Sequence, residues 1–523
     1  MMSILRTSIL IAGCVWCCVP GRGADEEEQL LAEKLTANMV QRIDELVAER
    51  WQPAGVSPAV QAEDSEFLRR AYLDLIGVIP TAAEVRAFLA DEAVDKRKRL
   101  ILKLVQKPSH ATHLAAQWSS MLLPAEQDPF SANNRVGFQL WLRDRFSRNV
   151  RYDITVADLL TTRGNPQQAT AALFYTAAEL KPEELAARSA RVFLGVQIEC
   201  AQCHDHPFDK WTMRDFWGYA AFFARIEQST GRGDRITNIA DRRDGEVKFP
   251  GTDDAVAPMY LGRIPASEEN GTRRLQLAIW LASRDNPYFA RATVNRAWAM
   301  MFGRGIVEPV DDLGPHNTPS HPELLDELAR YFIKIRFDLR RLLVTLASTK
   351  TYALSSRWPA DQAEPSPELF ARMAMKSLTP EQLFDCLATL MRRSEFSTVN
   401  VGEFAVDSAR QNFLSKFDRG ATGVLDYQSG IPQALTMMNG QEISAATDLK
   451  ESGLLIALQA PFLTPAQRID SLFLSTLSRL PTPDESARFL AHLEAAPTSA
   501  DAPRALGDLL WALLNCAEFT LNH

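Results

Sequence analysis

Six short segments of the chain carry the same signal for the start of an α-helix. In each, serine or threonine is followed three residues later by glutamate, glutamine or aspartate. This is the spacing of a capping box, in which two side chains satisfy free backbone N–H groups. The segments are Thr81–Glu84, Thr212–Asp215, Ser320–Glu323, Thr379–Gln382, Thr464–Gln467 and Thr482–Glu485. Apolar residues at helical spacing follow them, so the sequence predicts a mainly α-helical fold.

Two of these signals, at Thr81 and Thr482, belong to a longer pattern that occurs twice. The segments from Pro80 and from Pro481 both read P-T-x-x-E-x-x-x-F-L, and each follows an apolar-periodic stretch. The matching positions are Tyr72 and Phe473, Gly77 and Ser478, and Glu84 and Glu485. We interpret the two copies as one helix-turn-helix packing unit used twice. A capping box before an amphipathic helix also arises by convergence.

The main exception to the helical pattern is Gln228–Gly262, which is rich in Gly, Asp and Arg. Its short alternating pieces, such as Glu246–Phe249, are typical of a loop or a small β-hairpin insertion. A chain of 523 residues is also too long for one hydrophobic core. We therefore predict two helical domains, over residues 25–226 and 268–523, joined by an insertion over 227–267.

Residues 1–24 have the features of an export signal. Arg6 precedes the mostly apolar segment Ser8–Val19, and the small residues of Gly21–Ala24 offer a cleavage region. The apolar segment is too short for a transmembrane helix. We predict a periplasmic or cell-surface protein without a transmembrane span in the mature chain. A lipoprotein cleavage box ending at Cys14, which would place a lipid anchor there, is the alternative to plain export.

Composition limits the classes of function. The chain has a formal net charge of −8, with 46% hydrophobic and 23% charged residues, as in ordinary folded proteins. No basic stripe stands out that would neutralise phosphates, so no nucleic-acid partner is predicted. No nucleophile elbow, Walker loop, H-E-x-x-H or Rossmann fingerprint is present to indicate an enzyme class, and whether the protein is an enzyme stays open.

Four cysteines lie beyond the predicted signal, namely Cys200, Cys203, Cys386 and Cys516. Four cysteines in so long a chain do not make a disulfide scaffold. Cys386 and Cys516 lie in helical apolar patterns, which favours buried free thiols, with a disulfide between them as the alternative.

The segment Cys200-Ala-Gln-Cys203-His204 has the C-x-x-C-H spacing of covalent c-type haem attachment. In such sites the two thiols add to the haem vinyl groups and the histidine is the proximal iron ligand. An aromatic-rich segment follows, which suits either a haem wall or plain core. Its members are Phe216, Trp217, Tyr219, Phe222 and Phe223.

Three other interpretations fit the same residues. They are a disulfide between Cys200 and Cys203, a redox dithiol, and a zinc site completed by His204 or His206. Outside the zinc alternative, we expect His206 to stabilise the turn. Met259 is the candidate distal haem ligand, although methionine is usually core filler. Further sulfur candidates are Met213, Met300, Met301, Met437 and Met438.

The second half holds a polar group of residues around an acidic turn, Glu308–Asp312. A metal or glycan site can be built from such residues, but turn formation, helix capping and salt bridges are the preferred interpretation. The residues are Asn295, Arg296, Trp298, Arg304, His316 and His321.

Phe193–Trp211, together with Phe67–Gly77, resembles the planctomycete-specific cytochrome c-like domain of exported proteins of unknown function. The resemblance extends over about Ala37–Ile226. From about Arg273 the chain is similar to the planctomycete-specific domain that follows it. The similar segments include Asn286–Arg291, Val294–Trp298, Phe302–Gly314 and Pro319–Leu325. The resemblance implies haem but no established activity. Many relatives carry a further N-terminal cytochrome c domain, whereas the C-x-x-C-H motif of this chain occurs once, at Cys200. The expectation of haem therefore depends on that motif alone.

The leading hypothesis is an exported protein that binds one haem c through Cys200, Cys203 and His204 and exchanges electrons with an unknown redox partner. The alternative is an exported structural or binding protein whose motif holds zinc or a disulfide. A carbohydrate-processing enzyme or accessory factor is a third hypothesis, suggested by the exported context and requiring a carboxylate pair in a cleft.

Overall fold

The computed structural model describes residues 22–123, 129–165, 169–230, 236–267, 271–391, 408–417, 431–495 and 502–523. Most of the predicted signal, with Cys14, lies outside these ranges. Among the described helices, none combines the length and apolar character needed to cross a membrane.

The described fold is mainly helical, as predicted. Its first helices are α1 Arg22–Ala48, α2 Asp64–Ile76, α3 Ala82–Ala90, α4 Lys96–Leu104, α5 Pro108–Leu122, α6 Pro129–Ser147, α7 Tyr152–Leu160, α8 Leu173–Thr176, α9 Pro182–Ser189, α10 Met213–Ala220, α11 Arg273–Leu281 and α12 Phe289–Phe302. They are followed by α13 Pro322–Lys334, α14 Leu339–Ala347, α15 Pro380–Leu390, α16 Ser408–Leu414, α17 Ile431–Asn439, α18 Gln441–Thr447, α19 Gly453–Leu458, α20 Pro465–Thr476, α21 Pro483–Glu494, α22 Ala502–Leu514 and α23 Ala517–Thr520.

The described strands form four two-stranded antiparallel sheets. Three are hairpins in or beside the predicted insertion: β1 Ile226–Thr230 with β2 Ile236–Asp241, β3 Val247–Lys248 with β4 Ala255–Val256, and β5 Met259–Tyr260 with β6 Ile264–Pro265. The fourth pairs β7 Lys376–Ser377 with β8 Leu521–Asn522. The predicted small β-hairpin insertion is therefore confirmed.

Packing divides the chain at a different place from the predicted insertion. One hydrophobic core gathers residues from Met39 to Met373, together with Leu474, and continues across the hairpins. The second gathers residues from Leu378 to Phe519, together with Leu73 and Ile79. The first core is continuous because residues after the insertion pack against residues before it. Phe289 stacks on Tyr152 with a centroid separation of 5.5 Å, for example.

Five of the six predicted capping boxes are present, with both reciprocal hydrogen bonds. The prediction at Ser320–Glu323 was wrong, because α13 is preceded by His321 and has no side-chain cap. Ser320 Oγ instead donates to the carbonyl of Ile306 (3.1 Å). Its hydroxyl therefore anchors a neighbouring loop.

The repeated unit is confirmed as a structural repeat. Gly77 and Ser478 both have left-handed backbone, with φ of 77° and 61°. The two copies also touch, since Arg86 of α3 donates to Ser471 of α20 (2.8 Å). Leu73 and Ile79 of the first copy belong to the second core. The repeat therefore lies where the two cores meet.

Cys386 and Cys516 are free thiols, and Cys386 is buried in the second core. Burial raises the pKa of the Cys386 thiol to about 12. The preferred prediction of a buried free thiol therefore holds for Cys386, whereas Cys516 is half-buried.

Replacing Glu84 with glutamine should destabilise the protein at neutral pH while leaving the cap geometry intact. Burial alone would raise the pKa of Glu84, but hydrogen bonds from Lys107 and from the Thr81 backbone hold it at about 2. A folded-state pKa below the ordinary value of 4.5 gives stability above pH 4.5 that is lost as the pH falls towards 2.

We expect the variant to lose about 2–3 kcal/mol of unfolding free energy at pH 7. Urea unfolding between pH 3 and pH 7 would show the difference from the wild type shrinking as the pH falls. Glu485→Gln is the matched variant in the second copy. A pH-independent difference would contradict the assignment to the Glu84 charge.

Candidate functional site

The C-x-x-C-H motif follows a short π-helical segment, Ala190–Leu194, that ends at Gly195 with φ of 64°. A Cβ added there would lie 3.0 Å from Leu313 Cδ1, and Leu313 N donates to Gly195 O (2.6 Å). Glycine is therefore required both by the backbone conformation and by the close approach of the loop around Leu313.

The motif itself begins in a 3₁₀ turn, Glu199–Gln202. Ile198 and Ala201 are fully buried and hold the turn against the core, whereas Cys200 and Cys203 are exposed free thiols. The alternation of buried and exposed residues therefore presents both sulfur atoms at the surface.

His204 is exposed and its Nδ1 lies 2.8 Å from the carbonyl oxygen of Asp205. A ring that donates from Nδ1 keeps Nε2 available as a ligand, which is the arrangement of metal-bound histidines. Asp205 is fixed in turn, because its Oδ1 accepts from the backbone N–H of Met213 at the start of α10 (2.9 Å).

His206 has the predicted role in the turn. Its backbone N–H donates to Trp211 O (2.8 Å), and its Nδ1 accepts from the backbone N–H of Phe208 (3.2 Å). Trp211 is buried and anchors the end of the loop, while 78% of Phe208 is exposed. The loop thus presents an apolar ring beside the motif.

The aromatic residues after the motif are mostly core. Phe216, Tyr219, Phe222 and Phe223 are each no more than 1% exposed. Trp217 is half-buried, and its Nε1 donates to Gln202 O (3.1 Å), which ties α10 to the cysteine turn. Four of the five side chains therefore support the plain-core interpretation.

Met259 lies in β5, where it packs against α10. A Cβ added to Gly218 would come within 2.9 Å of Met259 Cβ. The other candidate sulfur ligands are distributed over the fold, with Met213 at the start of α10, Met300 and Met301 in α12, and Met437 and Met438 in α17.

A polar group that sequence reasoning did not connect with the motif lies beside it. Arg191 binds Glu199 (2.8 Å) and Asp311 (3.6 Å), and Gln197 Nε2 donates to Asp311 Oδ1 (3.3 Å). Burial raises the pKa of the Glu199 carboxyl, and the charge of Arg191 partly opposes that shift. The residue before Cys200 is therefore a half-buried carboxyl linked to the acidic turn.

The acidic turn is held by fully buried Asn295, which donates to Val307 O (2.9 Å) and accepts from Val307 N–H (2.9 Å). His316 Nε2 lies 2.9 Å from Asp312 Oδ2. A Cβ on Gly314 would be 2.9 Å from Asp209 Oδ2, so the turn also packs against the motif loop. Turn formation and salt bridging, the preferred interpretation of this region, agree with these contacts.

Two further polar residues of this region, Arg296 and His321, are buried. Arg296 is 9% exposed and donates to Val192 O (3.4 Å) and to Met121 Sδ (3.1 Å). His321 is buried beside Phe370, and burial lowers its pKa to about 4.

The donor set of the motif fits haem c. Two accessible thiols and an imidazole with free Nε2 are the groups that covalent attachment and proximal ligation require. Both thiols and the imidazole are exposed, so a porphyrin bound here would lie at the surface. For zinc, no three His, Cys, Asp or Glu side chains converge on one point in the described ranges.

Residues 42–228 match the family model PSCyt2, a protein of unknown function (DUF1549). Residues 273–399 match the model PSD1, a protein of unknown function (DUF1553). Neither the curated proteins nor the solved structures yield a match to the chain. The interval between the two matches holds most of the hairpin insertion. The two matches follow one another in the order that the motifs indicated, and both are to families of unknown function.

Proposed function

We propose that the chain is an exported protein that binds one haem c at Cys200, Cys203 and His204 and transfers electrons to or from an exported partner. The observation that carries this proposal is the exposure of both thiols beside an imidazole whose Nδ1 contacts a carbonyl. Haem would supply a one-electron redox centre.

Attachment needs no oxidant or reductant from the protein. Each S–H bond adds across a vinyl C=C bond, forming one C–S and one C–H bond. Cys200 and Cys203 need only be reduced and accessible, and both are exposed free thiols.

The surface position of the motif suits electron exchange, because a haem held there would keep an edge accessible to a partner. His204 would hold the proximal position through Nε2, oriented by its contact with Asp205 O. Exposed Phe208 is the nearest apolar side chain in sequence that could cover a porphyrin face. Met259, which packs against Gly218, stays the candidate for the distal ligand.

Haem attachment should depend entirely on the two motif cysteines. The full chain, produced in a host with a haem c maturation system, should show one haem-sized mass increase and a pyridine haemochrome spectrum. Cys200→Ala/Cys203→Ala should lose both, because no thiol remains in the motif to form a thioether bond. Cys516→Ala, which removes a half-buried thiol elsewhere, should keep both.

The same experiment separates the alternatives. His204→Ala should retain the covalent mass increase but change the spectrum of the untreated protein, since the proximal ligand is lost. Wild-type protein without added haem mass, but with stoichiometric zinc, would instead favour the zinc alternative. A mass lower by two hydrogen atoms that is restored by reduction would identify a Cys200–Cys203 disulfide.

A further inference from the structure

A cavity of about 300 Å³ lies between the hairpin insertion and α11, and its lining is rich in arginine. The lining arginines are Arg225, Arg242, Arg243 and Arg273. One carboxylate, that of Asp241, also lines the cavity, and Arg274 already binds it at 2.8 Å. Such a local excess of guanidinium groups, in a chain of net charge −8, favours an anionic ligand.

Nearby carboxylates neutralise only part of this charge. Glu246 binds both Arg225 (2.5 Å) and Arg273 (2.8 Å), so that one carboxylate serves two guanidinium groups. Within the ranges that the structure describes, neither Arg242 nor Arg243 has a carboxylate partner, and both are exposed. Arg242 Nη2 donates to the carbonyl of Ala224 (3.3 Å), so its guanidinium group keeps its charge and its other N–H groups for an oxyanion, and Arg243 can add a second guanidinium group.

The cavity also lies at the first turn of α11. Thr272 caps this helix by accepting from Leu275 N–H, which leaves the backbone N–H of Arg273 without an intrahelical acceptor. Thr272 and Arg273 both line the cavity. The free N–H and the positive end of the helix dipole add to the preference for an anion.

Gln276 supplies an independent observation. It lines the cavity, is 5% exposed, and its Oε1 is buried without a hydrogen-bond partner. A buried acceptor of this kind is costly unless a ligand donates to it. Because a fully ionised oxyanion carries no such donor, a ligand that also presents a hydroxyl group suits this acceptor.

One wall of the cavity is apolar. Phe222 and Pro258 line it, and Phe222 begins a stack that continues through Tyr260 (4.8 Å between centroids) to Trp280 (5.0 Å). A cationic side, a single buried acceptor and an apolar wall together suit a small ring that bears both hydroxyl groups and a negative charge.

We propose that this cavity binds a monosaccharide-sized molecule carrying an oxyanion, as a sulfate ester, a phosphate ester or a carboxylate, together with hydroxyl groups. Arg242 and Arg243 bind the oxyanion, and Gln276 Oε1 accepts a hydrogen bond from a hydroxyl group. A volume of about 300 Å³ lies at the lower end of the range of ligand cavities, which matches a single sugar ring. The site is independent of the haem proposal.

Calorimetric titration of the full chain at low salt tests this proposal. The probes are glucose 6-sulfate, glucose 6-phosphate and glucuronate, with glucose and sodium sulfate for comparison. At least one charged sugar should bind roughly tenfold or more tightly than either comparison compound, and which one binds identifies the oxyanion.

Variants then locate the site. Arg243→Ala should weaken binding of the charged sugar roughly tenfold, because a charge-assisted hydrogen bond is lost. Arg284→Ala, which removes an exposed arginine outside the cavity lining, should change nothing. Gln276→Leu should weaken binding of the charged sugar without affecting inorganic sulfate. Unfolding midpoints near that of the wild type would establish that the variants are folded.

The proposal is overturned if no charged sugar binds at millimolar concentration, or if inorganic sulfate binds as tightly as the charged sugars. It is equally overturned if Arg284→Ala weakens binding as much as Arg243→Ala does.

Discussion

Replacing Asp74 with asparagine should lower the free energy of unfolding by about 3–5 kcal/mol, since it leaves a buried ammonium without its counter-ion. Asp74 Oδ1 binds Lys376 Nζ at 2.5 Å, and the two side chains are 4% and 15% exposed. Burial lowers the pKa of Lys376, and the charge of Asp74 opposes that shift.

The pair also belongs to a larger buried network. Asn522 Nδ2 and Tyr352 Oη donate to the two Asp74 oxygens (2.6 and 2.8 Å). Lys376 Nζ further donates to the carbonyls of Met300 and Met301, each at 3.0 Å. Because α2, α12, β7 and β8 all contribute, losing the Asp74 charge weakens the junction between the two cores.

Urea unfolding followed by circular dichroism measures the effect. Asp253→Asn is the matched control, because Asp253 pairs with Lys248 on the surface and its loss should leave the midpoint unchanged. Asp74→Asn/Lys376→Met should be more stable than Asp74→Asn alone, since the unpaired charge is gone. A double variant no more stable than the single one would argue against a buried charge pair.

Structural features that depend only on neighbouring residues could be predicted from the sequence. The capping box at Thr81 depends on two side chains three residues apart, and the turn at His206 on its immediate neighbours. The prediction failed at Ser320, because a hydrogen bond to Ile306, from a separate loop, took the place of the local cap. A local sequence pattern therefore predicts a hydrogen bond correctly unless a residue from elsewhere in the chain bonds the same side-chain atom.

Contacts between distant segments could not be predicted. Asp74 and Lys376 are separated by 302 residues, and no local pattern pairs them. Likewise, Gln197 near the motif and Asp311 in the acidic turn were each visible in the sequence, but their contact was not. The candidate site was therefore predictable as a motif, whereas the polar residues around it were not.

The domain boundary shows the same limit. Composition located a hairpin insertion, and the two family matches lie mostly on either side of it. Yet Arg274, after the insertion, is 1% exposed and donates to Leu160 O and Thr162 O before it. A family boundary and a packing boundary are thus different things in this chain, since only the second depends on which surfaces are buried together.

Helix α10 connects the two proposed sites. Near the middle of the helix Trp217 donates to Gln202 in the cysteine turn, and just beyond its C-terminal end Phe222 lines the arginine-rich cavity. Gly218 between them packs against Met259. Both proposed sites therefore contact the same short segment of chain.

Substitutions at the turn residues of the repeated unit should also change stability strongly, because the two copies have different residues at this position. Gly77 and Ser478 share left-handed backbone, but a Cβ on Gly77 would lie 2.9 Å from His113 Cγ and closer still to Nδ1. His113 is buried, and burial lowers its pKa to about 3, so the ring is neutral and enclosed. It has little room to move.

Gly77→Ala should therefore lower the free energy of unfolding by about 2–4 kcal/mol, combining backbone strain with overpacking against His113. Ser478→Gly should act in the opposite direction and raise it by about 0.5–1 kcal/mol, because glycine relieves the strained backbone. It also removes a buried hydroxyl that has no hydrogen-bond partner. Thermal and urea unfolding of both variants measure the two changes. Destabilisation by Gly77→Ala with stabilisation by Ser478→Gly would show that the second copy tolerates a strained serine where the first requires glycine. Destabilisation by both variants would mean that the two turns are not equivalent.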